Sequence, residues 1–453
     1  MPRSDMAPRT SLARLLPLND RMKRLTVDGL RSVLPPLDEL RPLVDHLLAG
    51  SHADPEKAWS GSGELGTAGD RLVETAGLSE ATAALADREH RHLLAVYSET
   101  ARAIVALDGG DAGEAAERFL AVAALEESRD DPRRASAYAD AAHALAREAG
   151  RPGLTSLALR RKARFARAMG RYDEAARDYT QALLFAEAAG DPRGAAEATI
   201  GVGNVLEEQG HWEQAADRYR QALDTLGGAE TPVPEQWHAL LNLHVALRSM
   251  GDLDGCVAPL DEAETLAASL GDESAVPFLE NARGQHFMAR GDFDEAEAHL
   301  RRAVETAGEG RAEITCRRNL AETLLALGRR LDAAEEARRA ERGAIVSSAP
   351  GKLPEVYRLL GRIAAAEGVS DAFVLFERAL EIIEERQLPD IERAQTLQAY
   401  AEAEARVGDH ETAADLLAQA DALYRSLGIS HRRDPWADRF DGPETDHQGT
   451  DHG

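Results

Sequence analysis

An all-α fold, built as a superhelical α-α solenoid of helix hairpins, is what this sequence predicts, and three observations predict it. Ala, Leu, Glu and Arg dominate a chain with only 5% aromatic residues, a composition that favours helix over strand. Glycines recur at Gly170, Gly210, Gly251, Gly291, Gly328, Gly368 and Gly408, in steps of 40, 41, 40, 37, 40 and 40. Small and large residues repeat at fixed distances from those glycines. A constant period of this size is the mark of stacked helix pairs, in which each unit buries its apolar face on its neighbours. The 453 residues also exceed what one growing core accommodates, and a repeat array escapes that limit.

Residues 1–24 carry Arg3, Arg9, Arg14, Arg21, Lys23 and Arg24, with Pro2, Pro8 and Pro17 interrupting any long helix. They read as a basic, flexible N-terminal segment. Residues 25–90 read as a small helical module, with helical spacing from Thr26 to Leu48 broken at Pro35 and Pro36, then a Gly-rich connection from Ala49 to Asp70. The solenoid is expected over 91–430. From His431 the periodicity stops and Asp, Gly and His take over, so 431–453 reads as a disordered acidic tail.

Within the array, the turn glycine organises each unit. Seven residues before it stand Gly203, Gly284 and Gly361, or an alanine. A mid-helix glycine costs about 0.5–1 kcal/mol relative to alanine, which predicts a neighbouring helix too close for a side chain. Five, nine and twelve residues after the turn come a small, a large and a small residue: Ala215, Tyr219 and Ala222, or Ala296, Leu300 and Ala303. Those offsets share one helical face. Cys256 takes the first small position in its copy, and Leu417 the large one in the last. The Gly368 copy is one residue short, so Ala372, Phe376 and Ala379 take the three roles. Gly110 also reads as such a turn, with Ala115 and Phe119 in frame. Residues 133–149 then form a strong helix outside the register, and the count is seven or eight repeats, with an extra or noncanonical hairpin before Gly170.

The phrase Gly203, Gly210, Ala215, Tyr219 and Ala222, with the turns Gly170 to Ala175 and Gly291 to Ala296, resembles the tetratricopeptide repeat family over about residues 91–428. The period is longer than the family's commonest ~34 residues and is similar to its long-helix, bacterial regulatory and kinesin-light-chain-like members. The resemblance implies a right-handed superhelix whose first helices line a concave groove, with partner-facing positions about 13, 10, 9, 6 and 3 residues before each turn glycine. Those offsets select Arg160, Arg161, Arg164 and Arg167, then Asn204, then His238, Asn242 and Arg248, then Asn281 and Gln285, then Arg318 and Asn319, then Arg358 and Arg362. The mixture of basic residues and asparagines partly resembles the carboxylate-clamp members. Guanidinium forks and carboxamides suit carboxylates and extended peptide backbone.

Charge narrows the partner. The formal net charge of −26 lacks the basic footprint of a nucleic-acid binder, and no run reaches the ~20 apolar residues of a membrane span. The expected address is the cytoplasm. Cys256 and Cys316, 60 positions apart, read as small core residues. No phosphate loop, GxSxG, HExxH or paired CxxC occurs, so no catalytic residue, cofactor or metal site is assigned, and no enzyme is expected. His90 and His92 lie two apart, on different sides of a helix, and His447 and His452 fall in the tail. Arg160, Arg161, Lys162, Arg164 and Arg167 crowd eight positions and call for an acidic group facing them. That group is a partner, a helix of this chain or the tail. The leading expectation is a non-enzymatic scaffold or adaptor that binds an acidic or carboxylate-terminated peptide segment of a protein. The alternatives are a regulatory sensor, whose array binds a small peptide or metabolite and signals to the N-terminal segment, and a self-assembling repeat protein.

Overall fold

The computed structural model describes residues 95–429, apart from 97–98, 101, 104–105, 108, 129–131, 228–231, 348, 369–370, 387 and 428. The expected N-terminal segment and module, the tail and the four histidines just named lie outside these residues. The described chain is all helical: α1 (Ala112–Ser128), α2 (Pro132–Glu148), α3 (Pro152–Ala168), α4 (Tyr172–Ala189), α5 (Pro192–Glu208), α6 (Trp212–Leu226), α7 (Pro234–Ser249), α8 (Val257–Leu270), α9 (Val276–Arg290), α10 (Phe293–Thr306), α11 (Arg311–Ala326), α12 (Arg330–Val346), α13 (Leu353–Glu367), α14 (Asp371–Arg386), α15 (Asp390–Val407) and α16 (His410–Ser426). Two compact units divide it. One runs through Val205 and takes in Asp224–Gly228; the other holds Leu206–Leu223 and the chain from Ala229 onward.

In the first unit α1 pairs with α2 and α3 with α4 as antiparallel hairpins, and α2 also packs on α3. Gly150 and Gly190 are left-handed turns that separate hairpins, whereas Gly170 lies inside one. Gly110 is a left-handed turn just before α1, and Phe119 on α1 is buried as its offset requires, its ring 6.1 Å from that of Tyr138 on α2. The helix at 133–149 is the second half of the α1–α2 hairpin, the extra hairpin expected before Gly170. It escaped the glycine count because the sequence has no glycine between Ser128 and Pro132. Ser156 on α3 donates to the Ala182 carbonyl of α4 at 2.8 Å inside the core.

In the second unit four hairpins run α7–α8, α9–α10, α11–α12 and α13–α14, and α15–α16 ends the described chain. The close approach expected at the helix glycines is present at Gly284 and Gly361. A Cβ on Gly284 would stand 2.5 Å from Leu300 Cγ and 3.3 Å from the Ala296 carbonyl oxygen, and one on Gly361 would stand 2.8 Å from the Phe376 ring. Ala296, Leu300, Ala303, Ala372, Phe376 and Ala379 are buried, as their offsets require. Leu417 is not; it is exposed, and the core there closes through Ala420 and Tyr424. Cys256 and Cys316 are buried free thiols. Cys256 stands at the N-cap of α8 rather than within it, because a turn capped by Asp252 Oδ1 accepting from Gly255 N at 2.8 Å delays the helix.

Candidate binding faces

First helices of successive hairpins lie side by side, so residues about one repeat apart meet along one face. In the first unit the crowded cations of α3 are dispersed in three directions. Arg160 pairs with Glu197 on α5. Arg161 and Arg164 turn the other way, toward α1, where both meet Glu127: Arg164 donates to Oε1 at 3.2 Å, and Arg161 lies 3.7 Å from Oε2. Lys162 leaves the face altogether and sits among Asp178, Asp140 and Glu174 at 3.3, 3.4 and 3.8 Å. Burial opposes the charge on Lys162, but the carboxylates prevail and raise its pKa. Burial and the Arg164 charge push the Arg161 guanidinium below its ordinary value, against the pull of Glu127. One carboxylate between two guanidiniums leaves that spot cationic, and Arg164 is 54% exposed. Arg167 in the last turn of α3 and Asn204 on α5 are half-buried.

In the second unit the expected residues form a ladder joining alternate helices. Arg248 on α7 donates to Gln285 on α9 at 3.4 Å. Asn319 Nδ2 on α11 donates to Asn281 Oδ1 on α9 at 2.7 Å. Arg318 meets Glu322 of its own helix at 3.1 Å and Glu355 on α13 at 3.4 Å. Arg358 on α13 donates to Gln395, Glu392 and Thr396 on α15 at 3.0, 3.1 and 3.2 Å. Burial would raise the Glu355 carboxyl, but Lys352 and Arg318, with Arg358 behind them, hold it well below the usual carboxylate range. His238 is exposed and lies against Trp237 with ring centroids 3.8 Å apart and planes tilted by 50°, Asn242 is half-buried on α7, and Arg362 is half-buried on α13.

The structure thus brings most of the expected residues onto shared faces, and adds the acidic half of those faces. Glu127, Glu197, Glu355 and Glu392 were not singled out from the sequence. A signal was present: Arg160 and Arg318 each lie ten residues before a turn glycine, and their partners Glu197 and Glu355 lie thirteen before the next. Opposite charges 37 residues apart are the mark of such a link. Among the described residues no group of three or more His, Cys, Asp or Glu is placed to hold a metal ion, and no helix is long and apolar enough to cross a membrane.

Residues 154–226 match the family model described as tetratricopeptide repeat. No curated protein matches the sequence. Among solved structures, a Rap protein complexed with competence and sporulation factor is similar at 14% identity and a TM-score of 0.54, over 85% of this chain and 99% of that one. The Rap conjugation gene regulator of plasmid pLS20, in complex with the Phr* peptide, is similar at 15% identity and a TM-score of 0.52, over 72% and 94%. At such identities the likeness is one of fold.

Proposed function

This chain is a tetratricopeptide-repeat protein, and on that premise we propose that it is an interaction scaffold whose first unit takes an acidic or carboxylate-terminated peptide segment on the α1–α3–α5 face. One observation carries the reading: Arg161 and Arg164 share the single carboxylate of Glu127, which leaves a cationic spot on a chain of net charge −26. The overall negative charge does not forbid an acidic ligand, since exposed charges more than ~8 Å away are screened at physiological salt. A guanidinium pair offers forked donors that fit a carboxylate in two-point contact.

The reading is tested with a fluorescein-labelled hexaglutamate peptide and anisotropy. Arg161→Gln with Arg164→Gln should weaken binding at least about tenfold while helical circular dichroism is retained, the loss being roughly one charge-assisted contact. Unchanged binding would remove the face from consideration.

A second reading is a regulatory sensor of a small peptide. Its support is that both solved structures named above were determined with a peptide or factor bound. Addition of such a ligand should then change protease cutting between Ala49 and Asp70, and an unaltered digest would count against it.

A further inference from the structure

The residue that holds the two arginines in this structure is itself a carboxylate, and it sits where its own helix disfavours one. Glu127 is the penultimate residue of α1, in a last turn that contains no basic residue. The C-terminal end of a helix carries partial negative charge on its unpaired carbonyls, so an anion there is placed against the helix dipole. Glu126 beside it is buried and faces Arg134 at 3.5 Å, which adds a second negative group to the same turn. Glu127 is thus opposed by its helix and retained by Arg161 and Arg164. Its side chain is 28% exposed, so it reaches water by rotating about its own bonds.

We propose that Glu127 is a built-in competitor for the ligand, occupying the Arg161–Arg164 pair until an incoming acidic group displaces it, and thereby setting the minimum charge a ligand must bring. The inference rests on the binding face assigned above. A ligand with one carboxylate only exchanges one anion for another at the pair and gains little. A segment with adjacent carboxylates keeps both guanidiniums occupied and leaves Glu127 to swing into solvent, away from the ligand's charge and from α1's carbonyls. Glu127 is therefore a specificity-determining residue, selecting clustered acidic side chains over a lone acid.

The test uses the full chain and the same hexaglutamate probe, with Glu127→Gln compared with Glu117→Gln. Glu117 lies on the same helix and pairs with Arg151 at 2.8 Å, about 15 Å along the helix from Glu127, so its substitution makes the same change in net charge away from the pair. Because the ligand then has no Glu127 ion pair to break, Glu127→Gln should tighten binding about fivefold, the worth of a surface charge pair at ~4 Å, and Glu117→Gln should stay within about twofold of the unsubstituted protein. A peptide with a single glutamate among serines should bind Glu127→Gln and fail to bind the unsubstituted protein. If Glu127→Gln proves poorly folded, Glu127→Asp, which draws the carboxylate back by one methylene, should tighten binding in the same direction. Binding by Glu127→Gln equal to or weaker than that of Glu117→Gln would overturn the proposal and make Glu127 a support for the arginines. Equal binding by the unsubstituted protein and the Arg161→Gln, Arg164→Gln pair would overturn the face itself, a result readable whatever the glutamate variants do.

Discussion

Asn319 and Asn281 join α11 to α9 through a 2.7 Å hydrogen bond, and Asn319 is fully buried. Asn319 Oδ1 has no hydrogen bond of its own. A buried carboxamide whose partner is removed loses its bond without regaining water. Asn319→Ala should therefore cost about 1–3 kcal/mol, and Asn281→Ala a similar amount by stranding Asn319. The double variant should cost clearly less than the sum, because the second substitution removes a group already stranded. Urea unfolding of the four proteins measures the coupling, and strict additivity would show that the bond contributes nothing.

Gly284→Ala tests the close approach of α10. Alanine is the better helix former, and by propensity alone it would stabilise α9 by about 0.5–1 kcal/mol. The new Cβ would stand 2.5 Å from Leu300 Cγ, near the branch point of the side chain rather than its tip. Overpacking of this kind costs about 1–3 kcal/mol, so the expected result is a lower thermal midpoint. A midpoint that rises would mean that α10 yields freely.

Acid should loosen the second unit through His244. Its Nδ1 lies 2.8 Å from the Cys256 carbonyl oxygen and its ring is wholly buried, and burial pushes its pKa from 6.5 down to about 4. His286, 6.0 Å away between ring centroids, is lowered for the same reason, with Arg290, Arg283 and Arg248 adding to the effect. A histidine held neutral by the fold stabilises it fully above its unfolded pKa and loses that stability as the pH falls. On the order of 3 kcal/mol should thus disappear between about pH 6.5 and pH 4. His244→Asn keeps a donor for the Cys256 carbonyl and cannot titrate, so denaturant midpoints across this window should slope less. An equal slope would assign the acid sensitivity elsewhere.

Lys162→Met would remove the cation shared by Asp140 and Asp178, while Glu174 keeps its pairing with Arg171 at 2.6 Å. Burial already raises the carboxyl pKa values of Asp140 and Asp178 despite Lys162. A carboxyl whose folded pKa is raised gains stability as the pH falls through that pKa, so the variant's deficit should shrink on moving from pH 7 to pH 5. At pH 7 the loss should be about 2–4 kcal/mol, between the figures for exposed and fully buried pairs. A pH-independent deficit would point to lost packing of the lysine stem instead.

Gly284 with Leu300 and Gly361 with Phe376 show why the architecture was legible from sequence: packing demands residues of fixed size at fixed offsets, and both are written in the residue types. Gly150 and Gly190 show the limit. Turns within hairpins and turns between them both favour a left-handed glycine, so the glycine alone does not tell the two series apart. The binding faces were half legible. Offsets locate Arg160, Arg318 and Arg358, but a side chain's partner depends on the next repeat, and only the structure sets Glu197, Glu355 and Glu392 beside them. Arg161 and Arg164 were less legible. Crowding along α3 called for a facing acid, but rotation about the helix, which sends neighbouring cations to α1, α5 and the second-helix side, decides that Glu127 of α1 meets these two.

The inter-hairpin ladder of the second unit has a consequence for how this gene can tolerate change in length. The rungs Arg248–Gln285, Asn281–Asn319, Arg318–Glu355 and Arg358–Thr396 each span 37 or 38 residues. Duplication or loss of a whole hairpin carries both ends of a rung together and leaves the pattern in phase. Insertion of a single codon within a first helix instead turns everything beyond it by about 100°, swinging the arginine or asparagine off the face while the apolar side follows it out of the core. Variation in this part of the chain should therefore come in hairpin-sized steps or in the turns, with first helices of fixed length.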